Sequence, residues 1–236
     1  MRSIRLSFLQ MTAYMRRDMM LFAVCLAPVL AGIFVRFAIP FLEEILTEYF
    51  HMAMIISPYY RLIDVFFAML TPAMFCFVSA MVSLEEADEK TAIYLFVTPL
   101  RKTGYLSARF GVPAFIAFLV TVILLPVFKL TALLAVDIVL FAAAGTLQGM
   151  IIALLVVTIS SNKLEGMAVT KFSALIILGA AVPFFIEDHM QYMVSLLPSF
   201  WIGKAACENI LFYMLPAVAL SIIWIGVLLR WYLRKI

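Results

Sequence analysis

Charged residues are scarce in this sequence. They make up 13% of the 236 residues, whereas hydrophobic residues make up 66%, and the mean hydropathy is +1.12. A soluble domain of this size has roughly a quarter charged residues and less than half apolar ones. The composition therefore excludes a water-soluble globular protein and indicates a chain that lies in a bilayer. The net charge of +3 does not point to nucleic acid.

Histidine and cysteine are also few. The two histidines, His51 and His189, form no HExxH pattern, and no local spacing supplies the three or four ligands that a zinc site needs. The three cysteines, Cys25, Cys76 and Cys207, are scattered and odd in number, so we interpret them as small apolar side chains in packed helices. We therefore expect no metal site and no cofactor in this chain.

Common catalytic motifs are missing as well. There is no GxSxG to expose a serine nucleophile. The nearest approach to a phosphate-binding loop is GTLQGM, Gly145 to Met150, which lacks the Lys-Ser/Thr pair that holds phosphate and magnesium. Small residues at this spacing usually let membrane helices pack closely. We expect no catalytic residue, no ATP site and no removable signal peptide at the N-terminus.

Long apolar runs are what the sequence has instead. Six of them are long enough, or nearly so, to cross about 30 Å of hydrocarbon as helices. They are too long and continuous for the alternating strands of a barrel. We predict an all-α integral membrane protein with a single domain over residues 1–236 and six transmembrane helices, at 19–41, 62–84, 106–128, 131–160, 167–186 and 210–230.

The distribution of Lys and Arg predicts the orientation. If the N-terminus is cytoplasmic, 13 of the 17 basic residues lie on the inner side. The other four lie at or near the outer side: Arg36, Arg61, Lys129 and Lys204. This asymmetry follows the positive-inside rule. It predicts a multi-pass protein of the cytoplasmic membrane with both termini inside.

Two segments outside the spans are also predicted to be helical. Residues 1–18 alternate apolar side chains with arginines, which predicts an interfacial helix whose Arg5, Arg16 and Arg17 meet anionic headgroups. The alternative is flanking charge that only sets topology. Residues 187–208 are too apolar for a free loop and too short to cross twice. We predict a re-entrant helical hairpin in the outer leaflet, broken at Pro198.

Two aspartates lie within the predicted spans. Charge in hydrocarbon is costly and often functional, so Asp64 and Asp137 are candidates for a transport pathway or a proton relay. Both lie near the outer ends of their helices, and Arg61 precedes Asp64 by three residues, a spacing that predicts a local ion pair. We favour a structural role at the interface and keep the pathway role as the alternative.

The loop after the second span concentrates charge on the cytoplasmic side. Acids come first and bases follow, which suits the dipole of a short helix. Between them, residues 91–97 are apolar, Pro99 breaks a helix and Thr98 can cap the next one. An exposed apolar patch ringed by charge is typical of a docking surface.

This stretch, DEKTAIYLFVTPLRKTGYLSAR, resembles the coupling region of ABC-2 type permeases, in which an acidic stretch runs into an apolar "LL-x-TPL" and then a basic segment. The matching positions are Glu89, Thr91, Leu95, Val97, Thr98, Pro99, Leu100, Tyr105, Leu106 and Arg109. The sequence departs from the pattern at Lys90, where glycine is common, and at Ile93, where glutamate is frequent. The N-terminal helix, six spans and apolar LLPSFW segment resemble the family's layout as well.

The resemblance implies the membrane-spanning subunit of an ABC exporter for a hydrophobic or amphipathic compound (drug, peptide or lipid). Two permease copies, or this chain and a sister permease, would form the pathway. Two ATPase subunits, which bind ATP and magnesium, would dock on the N-terminal helix and on the coupling segment, residues 85–105. The docking positions would be Glu85, Glu89, Thr91, Leu95, Val97, Thr98, Pro99, Leu100 and Arg101.

Two other classes of function remain open. A proton-coupled secondary transporter would use Asp64 or Asp137 and should show weak internal symmetry between its halves, which the sequence does not display. A non-transporting membrane anchor of a complex would tolerate polar substitutions at the seam between two copies, whereas a permease would not.

Overall fold

The computed structural model of the chain describes residues 8–12, 18–89 and 101–235. Regular structure within these ranges is helical, and six helices are long and apolar enough to cross a membrane. The prediction of an all-α membrane protein with six spans is therefore confirmed. The spans are α1 (Met19–Phe50), α2 (Ser57–Asp88), α3 (Thr103–Phe128), α4 (Ala135–Ile159), α5 (Lys163–Phe185) and α7 (Leu211–Lys235). A shorter helix, α6 (Pro198–Glu208), precedes the last span.

The first span is longer than the apolar run that predicts it. Its α-helical start, Met19–Ile33, continues through a π-helical turn, Phe34–Ala38, into a second α-helical part, Ile39–Phe50. Glutamates in this second part lower the hydropathy but do not interrupt a helix. The helix ends at His51, which adopts a left-handed conformation with φ of 53°.

The fourth and fifth spans also differ from their predicted bounds. α4 begins at Ala135 instead of residue 131, because the side chain of Asp137 accepts a hydrogen bond from the Leu134 amide and so caps this helix. α5 begins at Lys163 instead of residue 167, because Asn162 caps it by accepting from the Glu165 amide at 2.8 Å. Polar capping residues, which hydropathy does not register, set both boundaries.

α2 lies at the centre of the bundle and packs most closely on α4. A Cβ added at Gly145 would lie 2.3 Å from the Ala68 carbonyl oxygen, and one at Gly149 would lie 3.0 Å from the Pro72 backbone. Because Pro72 has no N–H, it cannot donate the usual helical hydrogen bond to the carbonyl of Ala68, four residues earlier. The prediction that GTLQGM serves close helix packing is thus confirmed.

The segment between α5 and α7 consists of a 3-10 helix, His189–Val194, followed by α6. The break predicted at Pro198 is the start of α6, where a proline in the first turn costs no hydrogen bond. α6 packs into the bundle, and a Cβ at Gly203 would lie 2.1 Å from the Ala180 carbonyl oxygen. The depth of this segment in a bilayer stays a prediction.

The six spans alternate in direction, so each end of the bundle collects six helix ends. We call the end where α1, α3 and α5 begin the Lys163 end, and the opposite one the Asp64 end. The four cations assigned to the outer side lie toward the Asp64 end, where the Arg36 guanidinium donates to the Lys129 carbonyl at 3.0 Å. The structure therefore groups these cations as the topology predicts.

The predicted N-terminal helix is described only in part. Residues 8–12 are helical, and the side chain of Met11 is buried in the main hydrophobic core. Arg5, Arg16 and Arg17 lie outside the described residues, so their contact with headgroups stays a prediction.

Candidate coupling site

The last turn of α2 presents acidic side chains to two sides of the bundle. Glu85 and Asp88 are three residues apart and share one face of the helix, whereas Glu86 is turned by about 100° toward another. Each face meets a different cation from another span. The C-terminal turn of α2 is thereby the meeting point of two polar clusters at the Lys163 end.

Lys163 forms the first cluster. Its Nζ lies 2.7 Å from Asp18 Oδ2 and 2.7 Å from Glu85 Oε2, and its backbone N–H donates to Asp88 Oδ2 at 3.1 Å. Asp18 also caps α1 by accepting from the Met20 amide at 2.9 Å. One lysine thus ties the start of α5 to the start of α1 and the end of α2. Its hydrogen bond holds the pKa of Asp18 below the ordinary 3.8.

Glu86 forms the second cluster. The Arg109 guanidinium donates to it through Nε, 2.9 Å from Oε2, and through a second nitrogen paired with Oε1. The Tyr105 hydroxyl donates to the same carboxylate at 3.0 Å. Arg109 is only 1% exposed, so this arginine is buried with its counter-charge. Phe110 meets the Tyr232 ring edge-on at 5.9 Å, which brings α7 to the cluster.

The end of α4 is joined to the end of α7 by a third contact. The Lys235 ammonium donates to the carbonyls of Val157 at 3.0 Å and Thr158 at 3.2 Å, and also to that of Ser160. These carbonyls belong to the last turn of α4, whose orphan acceptors favour a cation. Together the three contacts connect the ends of all six spans.

The predicted coupling segment emerges from this network. Glu85 accepts from Lys163 within it, Glu89 follows the last residue of α2, and Arg101 begins the helical turn Arg101–Leu106 that leads into α3. The remaining docking positions, Thr91, Leu95, Val97, Thr98, Pro99 and Leu100, lie outside the described residues. Both ends of the coupling segment are therefore anchored in the packed bundle.

Several residues of this site were missed by sequence reasoning. Asp18, Glu86, Lys163 and Lys235 are not among the site residues predicted from the sequence. The available signal is their position. Asp18, Glu86 and Lys163 each lie within a turn of a predicted span end, and Lys235 lies five residues beyond the last predicted span, all on the side predicted to be cytoplasmic. Opposite charges at neighbouring helix ends are expected to pair.

Asp64 and Asp137 lie at the opposite end of the bundle. The Asp64 carboxylate accepts from the Leu130 amide at 2.8 Å, the Thr131 amide at 2.9 Å and the Thr131 hydroxyl at 2.5 Å. Asp137 accepts from the Leu134 amide at 3.2 Å. Both aspartates thus hold the loop between α3 and α4, and a pathway role stays a prediction.

The ion pair predicted between Arg61 and Asp64 is wrong. The Arg61 guanidinium donates instead to Asn209 Oδ1 at 2.6 Å. Both carboxylate oxygens of Asp64 face the amides of the α3–α4 loop. Neither oxygen is therefore directed along α2 toward Arg61.

An apolar crevice opens between α1, α2 and α5. It contains two cavities of about 280 and 230 Å³ that share Leu70, Ala174 and Ile177 as lining residues. Thr170 supplies the polar side chain of the lining, and the other lining residues are apolar. Each cavity approaches the roughly 300 Å³ at which small-molecule sites begin. The crevice suits an apolar or aromatic guest.

No metal centre is found in the part of the chain that the structure describes, where no three His, Cys, Asp or Glu side chains converge.

A family model described as "Fluoroquinolones export permease protein Rv2686c-like" matches residues 12–229. The chain is similar to the fluoroquinolones export permease proteins Rv2686c and MT2760 of two Mycobacterium tuberculosis strains, H37Rv and CDC 1551. It is 26% identical to each over 196 residues, which is 80% of this chain and 75% of the relative. No solved structure matches the chain.

Proposed function

The chain belongs to the Rv2686c-like family of fluoroquinolone export permeases, a family of ABC-2 type permeases, and we propose that it forms the membrane-spanning half of an ATP-driven drug exporter. ATP is hydrolysed by two separate ATPase subunits, which dock on the coupling segment between α2 and α3. A second copy of this chain, or a sister permease, completes the transporter.

One observation carries this proposal: both ends of the coupling segment are anchored in polar clusters that join α2 to α1, α3 and α5. Lys163 connects the end of α2 to α1 and α5, and Glu86 connects it to Arg109 of α3. A force on the segment is therefore passed to the helix ends as a unit. Packed interfaces of this kind switch between discrete arrangements and do not deform continuously.

The orientation follows from the charge distribution. We infer that the Lys163 end faces the cytoplasm of the cell's inner membrane, with both termini on that side. Arg109, Lys163 and Lys235 lie at this end, as the positive-inside rule requires. An ATPase in the cytoplasm then has direct access to the coupling segment.

The cargo is an amphipathic aromatic drug of the fluoroquinolone type. The names of the two relatives support this class, and so does the apolar crevice between α1, α2 and α5. α1 has few buried residues, Leu21, Pro28 and Gly32 in its first half, so most of its surface is available to lipid, to cargo or to a second copy.

Docking is tested by substituting apolar residues of the coupling segment. Leu95→Asp and Leu100→Asp should abolish copurification of the ATPase subunit and drug export, while the protein still inserts into the membrane. Leu134→Asp places the same charge on an exposed residue of the opposite end and should leave copurification intact. If both coupling variants retain ATPase binding and export, the docking assignment is wrong.

The source of energy is tested in liposomes. The chain reconstituted with its ATPase should accumulate a fluoroquinolone only with ATP, and the chain alone should hydrolyse none. Uptake driven by a pH gradient without ATP would contradict the proposal and favour a proton-coupled transporter. Asp64→Asn and Asp137→Asn would then identify the carboxyl involved.

A further inference from the structure

A cavity of about 480 Å³ lies where the end of α7 meets the end of α4. It is lined by Thr158 and Ile159 of α4 and by Trp231, Arg234 and Lys235 of α7. Its walls thus combine an indole, an exposed apolar side chain and two cations. It opens at the Lys163 end, away from the apolar crevice assigned to cargo.

Neither cation of this cavity forms a salt bridge among the residues that the structure describes, and Glu165 is the acid that interacts electrostatically with Lys235. The Lys235 ammonium is held by the carbonyls of Val157, Thr158 and Ser160, which fix its position without an ion pair. The Arg234 guanidinium and the Trp231 indole N–H have no hydrogen bond within the described ranges, and both side chains are exposed. Such a set of donors favours an anion.

The cavity continues along α7 as an apolar stripe. Ile223, Val227 and Trp231 follow one another every four residues and are 60%, 53% and 60% exposed. Arg230 and Arg234 complete the same face at its end. A surface that passes from aliphatic residues to an indole and then to arginines matches a lipid molecule from its acyl chains to its headgroup.

We propose that this cavity binds the headgroup phosphate of an anionic phospholipid whose acyl chains lie along α7. Arg234 donates hydrogen bonds to the phosphate, and Trp231 borders the glycerol region. Lys235, which the α4 carbonyls hold in place, contributes a second positive charge. This proposal rests on the proposed function only in assigning the site to the cytoplasmic leaflet. Binding itself requires only that α7 crosses the bilayer.

The position of the site gives the lipid a structural effect. Lys235, which lines the cavity, joins α7 to α4, and Tyr232 on the same turn lies beside the Glu86 cluster. A bound headgroup offsets the repulsion among Arg230, Arg234 and Lys235 at this helix end. We therefore expect the lipid to stabilise the same end of the bundle that holds the coupling segment.

The experiment uses the purified full-length chain in neutral detergent, with phosphatidylglycerol as the probe. Phosphatidylglycerol should raise the thermal midpoint and appear as a retained adduct in native mass spectrometry, whereas phosphatidylcholine should do neither. Arg234→Gln should weaken phosphatidylglycerol binding roughly fivefold, as expected for one cation near an anionic headgroup. Arg234→Lys should retain most of the binding. Lys171→Gln removes an exposed cation of α5 outside the cavity and should have no effect.

Three results would overturn the proposal. Equal stabilisation by phosphatidylcholine would show that the headgroup charge is not recognised. Equal protection by inorganic phosphate alone would assign the cavity to a free anion. Unchanged phosphatidylglycerol binding in Arg234→Gln would place the lipid elsewhere. Because no ATPase or drug is present, these results are independent of whether the transport proposal succeeds.

Discussion

Arg109 and Glu86 form a buried ion pair that joins α3 to α2, with Arg109 Nε 2.9 Å from Glu86 Oε2. Glu86 lies at the start of the coupling segment, and Arg109 follows its end by four residues. The pair therefore closes the base of the segment and prevents its two ends from separating. The Glu86 carboxylate also accepts a hydrogen bond from the Tyr105 hydroxyl, so Arg109 and Tyr105 together fix its position.

Removing the arginine should destabilise the protein strongly. Arg109→Met leaves the Glu86 carboxylate without its counter-ion, and the side chains of the pair are only 1% and 17% exposed. We expect a loss of about 3 kcal/mol, at the low end for a broken buried pair. Thermal unfolding in detergent measures it. The double variant Arg109→Met, Glu86→Gln should recover part of the loss, and the exposed Arg230→Met should change stability by less than about 0.5 kcal/mol.

Enlarging a glycine between α2 and α4 should separate the two helices. A Cβ at Gly145 would lie 2.3 Å from a backbone oxygen that cannot rotate away. Gly145→Ala should therefore cost about 1–3 kcal/mol. Gly226→Ala in α7 is the matched control, because no atom outside the adjacent backbone of its own helix lies within 4 Å of the new Cβ. It should be neutral or stabilise by up to about 1 kcal/mol. Similar midpoints for both variants would contradict the close contact.

Neutralising Asp64 should weaken the α3–α4 loop. Its carboxylate accepts three hydrogen bonds from Leu130 and Thr131, whereas Asp137 accepts one from Leu134. Asp64→Asn should cost about 1–3 kcal/mol, and Asp137→Asn should cost less. Export per folded molecule should be unchanged in both. A loss of export without a loss of stability would instead assign the aspartate to the transport pathway.

The contact between Asp18 and Lys163 should depend on pH in the acid range. The hydrogen bond from Lys163 lowers the pKa of Asp18 below 3.8. The stabilisation of the folded protein by this contact is thus fully present above about pH 4, and it is lost as the pH falls through the lowered pKa of Asp18. Asp18→Asn keeps the helix cap but loses the charge. The midpoint difference between wild type and Asp18→Asn should stay constant down to about pH 4 and then disappear.

Asp188→Asn serves as the control for this titration. Asp188 also caps a helix, by accepting from the His189 amide, and has no lysine bonded to it in the described structure. A difference that grows as the pH falls below 4 would contradict the Lys163 contact.

The sequence predicts the number, order and approximate position of the spans because each apolar run is long and continuous. It misplaces their ends because capping by Asn162 and Asp137, and the persistence of helix through Glu43 and Glu44, are local effects that mean hydropathy does not record. The break at Pro198 is predictable because a proline interrupts a helix at its own position, without any contact to a distant part of the chain.

The candidate site is predictable only in part. The charged loop and its resemblance to a coupling region locate the site, because both lie in one short stretch of sequence. The partners of its charges come from distant parts of the chain: Lys163 is 78 residues from Glu85 and 145 from Asp18. Spacing along one helix suggested Arg61 for Asp64, but the loop amides, 66 and 67 residues away, are the observed donors.

The length of α1 has a mechanical consequence. A helix of 32 residues is about 48 Å long, whereas the hydrocarbon layer is about 30 Å thick. The helix must lean, or carry its last turns out of the lipid, and either response depends on bilayer thickness. Glu43 near its far end accepts from the Ile55 and Ile56 amides, at 3.0 and 2.6 Å, just before α2. Any change in the tilt of α1 is therefore transmitted directly to α2, the central helix. In this way the thickness of the membrane affects the arrangement of the bundle.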